Sequence, residues 1–248
     1  MKLKILVLSG IVPIALILFY YASITAKTKG SIVYTDHLSE VVCKVDDTEL
    51  TLADLNFYVL FQECKIEEQA RTYNPDSPKD YWNAHTNGEF VQESAKKAVI
   101  EMAIHDHIMY EEAKEAHIVL STDQKEALEK ARTKFWTSLF DEQLERLPLD
   151  YGEGNRIMKE IALIEAYQHK LAAENKDMTY EGLSWDGYDY KQIREQHKVK
   201  IHDKLWRRVA LGDVSLYHEN VSYINGMTDE EREAFQNREK TYRLHIGE

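Results

Sequence analysis

The stretch Phe90–His117, FVQESAKKAVIEMAIHDHIMYEEAKEAH, sets the architecture of the chain. Val91, Ala95, Val99, Met102 and Ile108, with Ile100 and Ile104 beside them, recur at three- and four-residue spacing. That spacing predicts one helix from about Glu89 to His117, with a broad apolar face roughly seven turns long. Glu93, Lys96, Lys97, Glu101, Glu111, Glu112, Lys114 and Glu115 fall mostly on the opposite side. A helix of this length needs others packed along it, and the flanking sequence supplies them.

Upstream, Thr51 and Asp54 have the spacing of an N-cap and its N3 acid, opening a helix from Leu52 to about Arg71. Leu52, Leu55, Tyr58, Val59, Phe61 and Cys64 form its apolar face. Downstream, Ser121 and Gln124 make a capping box for a helix from Thr122 to about Arg146, stopped by Pro148. Its buried stripe is Leu128, Ala131, Phe135, Leu139 and Phe140. Asp150–Asn155 reads as a turn, and Ile157, Ile161, Ile164 and Leu171 mark a helix to about Glu174. Ile193, His197, Ile201, Leu205 and Val209 predict another from Asp189 to Ala210, ended by Gly212. Thr72–Gly88 and Lys176–Gly187 are loops by their turn residues, the first with a helical turn around Asp80–Ala84.

Two short β-type runs, Val41–Val45 and Asp213–Tyr217, are expected to pair as a minor two-stranded element. The expected fold is therefore mostly α: an N-terminal membrane helix, then a bundle of five or six helices closed by that element. The expected organisation is a signal sequence or anchor over 1–29, a tether over 30–39, a helical domain over 40–217 and a charged helical tail over 218–248.

The N-terminus carries the membrane signal. Met1–Lys4 is a short basic stretch, and Ile5–Ala22 is eighteen residues without a charge. Residues 5–22 read as an uncleaved single-pass anchor, with Lys2 and Lys4 cytoplasmic and the body extracytoplasmic. The alternative is a secretory signal cleaved after Ile24-Thr25-Ala26. The formal charge is −12, and the first 29 residues hold four lysines and no acid, which leaves −16 on the remainder. So acidic a body argues against a nucleic-acid partner, since phosphate binding needs a basic footprint. Two cysteines exclude a disulfide-rich scaffold and a four-thiolate zinc site. Cys43 and Cys64 read as two thiols, with a disulfide as the alternative.

The opening strand, turn and capped helix resemble the start of the chaperone domain of PrsA-type foldases and SurA-type periplasmic chaperones. That family begins V-x-x-V-(N/D)-G-x-x-(I/L)-T, and Val41–Thr51 is similar to it, with Asp47 in place of the turn Gly. Ala113–Ser121, AKEAHIVLS, resembles the family's helix exit A-x-x-x-G-I-x-(V/L)-(S/T), with His117 where Gly is usual. Asp189–Ala210 and Asp213–Leu216 look like the segment that completes the domain. The resemblance covers roughly Glu40–Tyr217. It implies a helical extracytoplasmic chaperone that cradles unfolded or exported polypeptides. Members often insert a parvulin isomerase of about a hundred residues. Here only Asn175–Tyr188 stands at that place, so isomerase activity is not implied.

Tyr73, Tyr81, Trp82 and Phe90 in one loop region, and Tyr180, Trp185, Tyr188 and Tyr190 in the other, are the candidate client-binding residues. Aromatics on loops give broad apolar contact at low entropic cost. Glu101, His105, Asp106, His107, Glu111, Glu112 and His117 are the densest set of potential metal ligands. On a helix His105 and His107 diverge by about 200°, and no matching Glu-x-x-His recurs elsewhere, so they read as a solvated polar face. No catalytic motif or cofactor signature appears, and Asn220-Val221-Ser222 matches a glycosylation sequon. The expected function is a membrane-tethered chaperone without enzymatic activity; the alternative is an adaptor for one folded partner.

Overall fold

A computed structural model describes residues 32–74, 77–139 and 141–216. The anchor over 5–22, the tail over 218–248 and Phe140 lie outside these residues. Among the described residues no helix is long and apolar enough to cross a membrane.

The fold is mostly helical with a small β element. In chain order it runs β1 (Val41–Val45), β2 (Thr48–Thr51), α1 (Asn56–Tyr73), α2 (Pro78–Trp82), β3 (His85–Thr86), β4 (Glu89–Phe90) and α3 (Val91–Glu115). There follow α4 (Thr122–Ser138), α5 (Asp141–Arg146), α6 (Tyr151–Glu174), α7 (Tyr188–Arg194), β5 (Val199–Ile201) and α8 (Asp203–Trp206). Helix α3 is the spine. It packs against α1 on one side and α6 on another, while α4 crosses α6 and α2 crosses α1. Val91, Ala95, Val99, Ile100, Ile104 and Ile108 are buried as the periodicity predicts, and Met109 and Ala113 join them; Met102 is only half-buried, and Lys96, expected on the polar side, is buried. Each large apolar side chain so buried contributes about 1.5–3 kcal/mol over an exposed one.

The helix exit has the geometry of a Schellman motif. His117 N–H donates to Lys114 O and Ile118 N–H to Ala113 O, both at 3.0 Å. His117 itself sits at φ 52°, a left-handed conformation that a side chain disfavours by about 1 kcal/mol or more. His117→Gly is therefore expected to stabilise the protein by about 1 kcal/mol, read as a raised urea midpoint at unchanged slope.

Helix α1 opens one turn later than the spacing suggests. Thr51 and Asp54 do form the reciprocal pair, with Thr51 N–H donating to Asp54 Oδ2 at 2.7 Å. Leu52–Leu55 is a turn, and α1 proper begins at Asn56. The capping box of Ser121 and Gln124 is formed. The helix expected to reach Arg146 breaks at Leu139 into α4 and α5, and the expected turn at Asp150–Asn155 is already the capped start of α6. Ala131, expected in the buried stripe of α4, is exposed. The loop over 72–88 contains α2 and the β3–β4 hairpin, whose Asn87 and Gly88 both have positive φ (52° and 87°). That is the two-residue connection Asn-Gly favours, because its twist matches the flanking strands.

Two expectations near the C-terminal end are corrected. The continuous helix from Asp189 to Ala210 does not form: α7 stops at Arg194, and Val199–Ile201 pairs antiparallel with β1. Asp46, at φ 51°, holds that switch, accepting from Lys198 N at 2.8 Å with His197 Nδ1 at 2.7 Å. Those bonds, Lys198 first and His197 next, keep the Asp46 carboxyl below the usual carboxylate range. Asp213–Leu216 is not the strand partner of Val41–Val45; the sheet order is β2-β1-β5. Its backbone is taken instead by side chains. Glu63 accepts from the N–H groups of Gly212, Val214 and Ser215, and Gln92 Nε2 donates to Leu211 O at 2.8 Å. Lys96 Nζ donates to Arg207 O at 3.1 Å just upstream. Backbone groups engaged in this way are lost to a ladder.

Candidate functional site: an aromatic groove on the first helix

Helix α1 buries Val59, Leu60, Ile66 and Ala70 and turns Phe61, Lys65, Glu68, Gln69, Thr72 and Tyr73 outward. Residues three and four apart share a face, so Phe61, Lys65, Gln69 and Tyr73 form one outward row. Phe61, expected on the apolar face, is 42 % exposed and stacks on Phe57 with ring centroids 6.1 Å apart.

Opposite this row stands α2. Its position follows from Trp82, which is buried and donates from Nε1 to Glu67 Oε2 at 3.2 Å. Gly212 comes so close to the Trp82 ring that an added Cβ would lie 2.7 Å from it. Anchored by its neighbour, Tyr81 meets Tyr73 at the edge of α1, the ring centroids 5.1 Å apart and the planes inclined by 47°. The Tyr81 hydroxyl donates to Gln69 Oε1 at 3.4 Å, which holds the ring in place. Between the two elements lies a groove of about 510 Å³ lined by Lys65, Glu68, Gln69, Thr72, Tyr73 and Tyr81. Tyr73 is 66 % exposed.

The eight aromatics nominated from sequence therefore divide. Tyr73 and Tyr81 come together in the groove. Trp82 and Tyr190 are core residues and present no surface to a client, a correction that follows from their burial. Phe90 is exposed at the end of the β3–β4 hairpin, edge-on to His85 at 5.1 Å. In the second group Tyr188 is exposed, Trp185 is half-buried and Tyr180 stacks on His169 at 4.2 Å. None of that group lines the groove.

What holds the second loop is His105, which is buried and not on a solvated face as expected. Its Nε2 lies 3.0 Å from Leu183 O, its Nδ1 lies 2.7 Å from Asp106 Oδ1, and its ring meets Tyr190 edge-on at 4.6 Å. Gln168 Nε2 also donates to Leu183 O, at 2.7 Å. The 180–190 loop is thus pinned to α3 and α6 as packing. Among the described residues no group of three or more His, Cys, Asp or Glu side chains is placed to hold a metal ion. Cys43 and Cys64 are both free thiols. Burial, first, pushes each up to about 12, so neither is primed as a thiolate nucleophile at neutral pH.

Sequence reasoning named the two tyrosines but missed Lys65, Glu68, Gln69 and Thr72, which line the groove with them. The signal is two polar rows four residues apart, Lys65 and Gln69 leading to Tyr73, and Glu68 to Thr72 beside them. No family model, curated protein or solved structure matches the chain.

Proposed function

We propose that this protein is a chaperone of the extracytoplasmic kind, tethered through residues 5–22, that holds unfolded or exported polypeptide segments without isomerising them. The observation that carries the reading is the groove. Tyr73, mostly exposed, and Tyr81, half-buried, stand at its rim as an aromatic pair, with amide, hydroxyl, carboxylate and ammonium groups beside them. Such rings give a chain apolar contact with few rotamers to freeze, and the polar groups reach its backbone. The helix exit supports the resemblance to PrsA- and SurA-type chaperones. His117 adopts the left-handed conformation at the position where those sequences usually have glycine.

The test uses residues 30–248 and a chemically unfolded model protein diluted into buffer. Near-stoichiometric suppression of light scattering is expected, and Tyr73→Ser is expected to weaken it about ten-fold, as loss of an interface tyrosine does. Tyr73 is mostly exposed, so the thermal midpoint of the variant should match the parent. Failure to suppress scattering at any ratio sinks the proposal. The short groove favours an adaptor in one respect, since six lining residues suit one segment of one partner. Photo-crosslinking from position 73 in the full chain separates the two: many products for a chaperone, a single one for an adaptor.

A further inference from the structure

We propose that the basic stretch over 198–208 lies against an anionic phospholipid surface, that of the membrane in which residues 5–22 are anchored. The inference rests on the anchor reading of those residues, and adds which pole of the body meets the bilayer and by what chemistry.

Charge is unevenly spread along the chain. In a protein of formal charge −12, residues 198–208 hold Lys198, Lys200, Lys204, Arg207 and Arg208 against a single acid, Asp203. The fold turns these cations outward. Val199 and Ile201 pack inward from β5, so Lys198 and Lys200 alternate to the solvent side, and both are exposed. Antiparallel pairing sets Lys200 directly opposite Lys44, on the same face of the sheet. Two like charges so placed repel each other, and an anion between them relieves the repulsion. Lys44 has Glu49 at 4.0 Å, and among the described residues no ion pair engages Lys200 or Lys204. Helix α8 follows one residue after the strand, and Lys204, Arg207 and Arg208 are exposed on it and just beyond it. Four residues of strand and about a turn of helix keep the five cations within about 20 Å. Two acids beside the stretch are already bonded: Asp203 to Arg207 at 3.1 Å, and Asp46 to Lys198 N–H and His197.

The covalent path decides which pole can reach a bilayer. Ile32 N–H donates to Arg208 O at 3.1 Å, so the chain from the anchor enters the body at the end of the basic stretch. Nine residues separate Ala22 from Ile32, at most about 35 Å of chain. A body of about 180 residues is about 40 Å across. The face opposite Arg208 could therefore rest on the membrane only through a longer link than this one. The pole at Arg208 reaches it with slack. Charge acts in the same sense, since an anionic surface draws Lys and Arg within a Debye length and repels the acidic remainder.

The experiment places the full chain in lipid nanodiscs, either of phosphatidylcholine or of phosphatidylcholine mixed with phosphatidylglycerol, and follows lysine acetylation by mass spectrometry. Lys200 and Lys204 are expected to react at least five-fold more slowly in the anionic discs, and to recover in molar salt. Lys130 and Lys159, exposed on α4 and α6, should react alike in both. Lys204→Glu combined with Arg207→Glu should restore the reactivity of Lys200 in anionic discs, with the circular dichroism unchanged. Equal rates for Lys200 and Lys204 in the two kinds of disc overturn the proposal, keep the anchor and leave the stretch to an acidic protein partner. Protection of Lys130 and Lys159 in their place overturns it as well. A chain that does not co-elute with the discs overturns the anchor and this inference together.

Discussion

Glu63→Ala is expected to cost about 4 kcal/mol at pH 6. Glu63 is fully buried on α1 and gathers the chain that follows α8. Gly212 N–H donates to its Oε1, Val214 N–H to the same oxygen at 3.3 Å, Ser215 N–H to Oε2 at 2.9 Å, and the Ser215 hydroxyl to Oε2 as well. Alanine leaves three inward-facing amides without this acceptor. Each costs about 1–3 kcal/mol if it stays dry. The segment cannot simply slide to new partners, because Gly212 is at φ 87° with the Trp82 ring against it. It is expected to lift away, uncovering Leu211 and Leu216, both now buried. Urea unfolding should show the loss, and hydrogen exchange should show the amides of Gly212, Val214 and Ser215 opening below the global free energy. A loss under 1 kcal/mol with those amides still protected would contradict this account. Because Trp82 also positions Tyr81, the lifted segment is expected to loosen the groove.

How much of this could be read from sequence depends on how local the cause is. Helix α3 was legible because one period runs unbroken from Val91 to Ala113. The capping box at Ser121 was legible because both partners lie within one turn. Val199–Ile201 was not, although its two β-branched residues alternate with Lys200. The isoleucines and leucine around it also satisfy a helical period, and what decides is Asp46, about 150 residues earlier. Asn87-Gly88 was a readable hairpin signal, but strands of two residues carry no pattern of their own. At the groove, Tyr73 and Tyr81 were nameable as aromatics on a loop; that Trp82 turns inward and Tyr81 outward depends on Glu67 and Gly212. Glu63 falls three and four residues from Leu60 and Val59, on the buried side of α1. An acid on an apolar face is a signal, yet nothing local says that Gly212–Ser215 will supply its donors.

The second large effect is one of pH. Burial pushes the Glu63 carboxyl from 4.5 up to about 7, outweighing the hydrogen bonds from Ser215, Gly212 and Val214 that favour its ionised form. Both protonation states can be satisfied in place. When ionised, the carboxylate accepts from all four donors. When protonated at Oε2, it can donate to Ser215 Oγ, since a hydroxyl accepts as well as donates, while Oε1 keeps its two amides. The folded chain thus holds a proton that the unfolded chain has already released. Stability from this group is fully present below pH 4.5 and is lost as pH rises through 7, by about 3 kcal/mol in all. Burial also raises Glu153 and Glu165, so the slope of the parent alone does not isolate Glu63. Glu63→Gln does, because it keeps the shape and removes the titration. Between pH 4 and pH 8.5 the parent is expected to lose about 3 kcal/mol more than Glu63→Gln in urea unfolding. Equal losses in the two proteins would mean that Glu63 titrates alike in the folded and unfolded chains, and a smaller loss in the parent would mean that the four donors keep Glu63 ionised when folded; either result overturns this account.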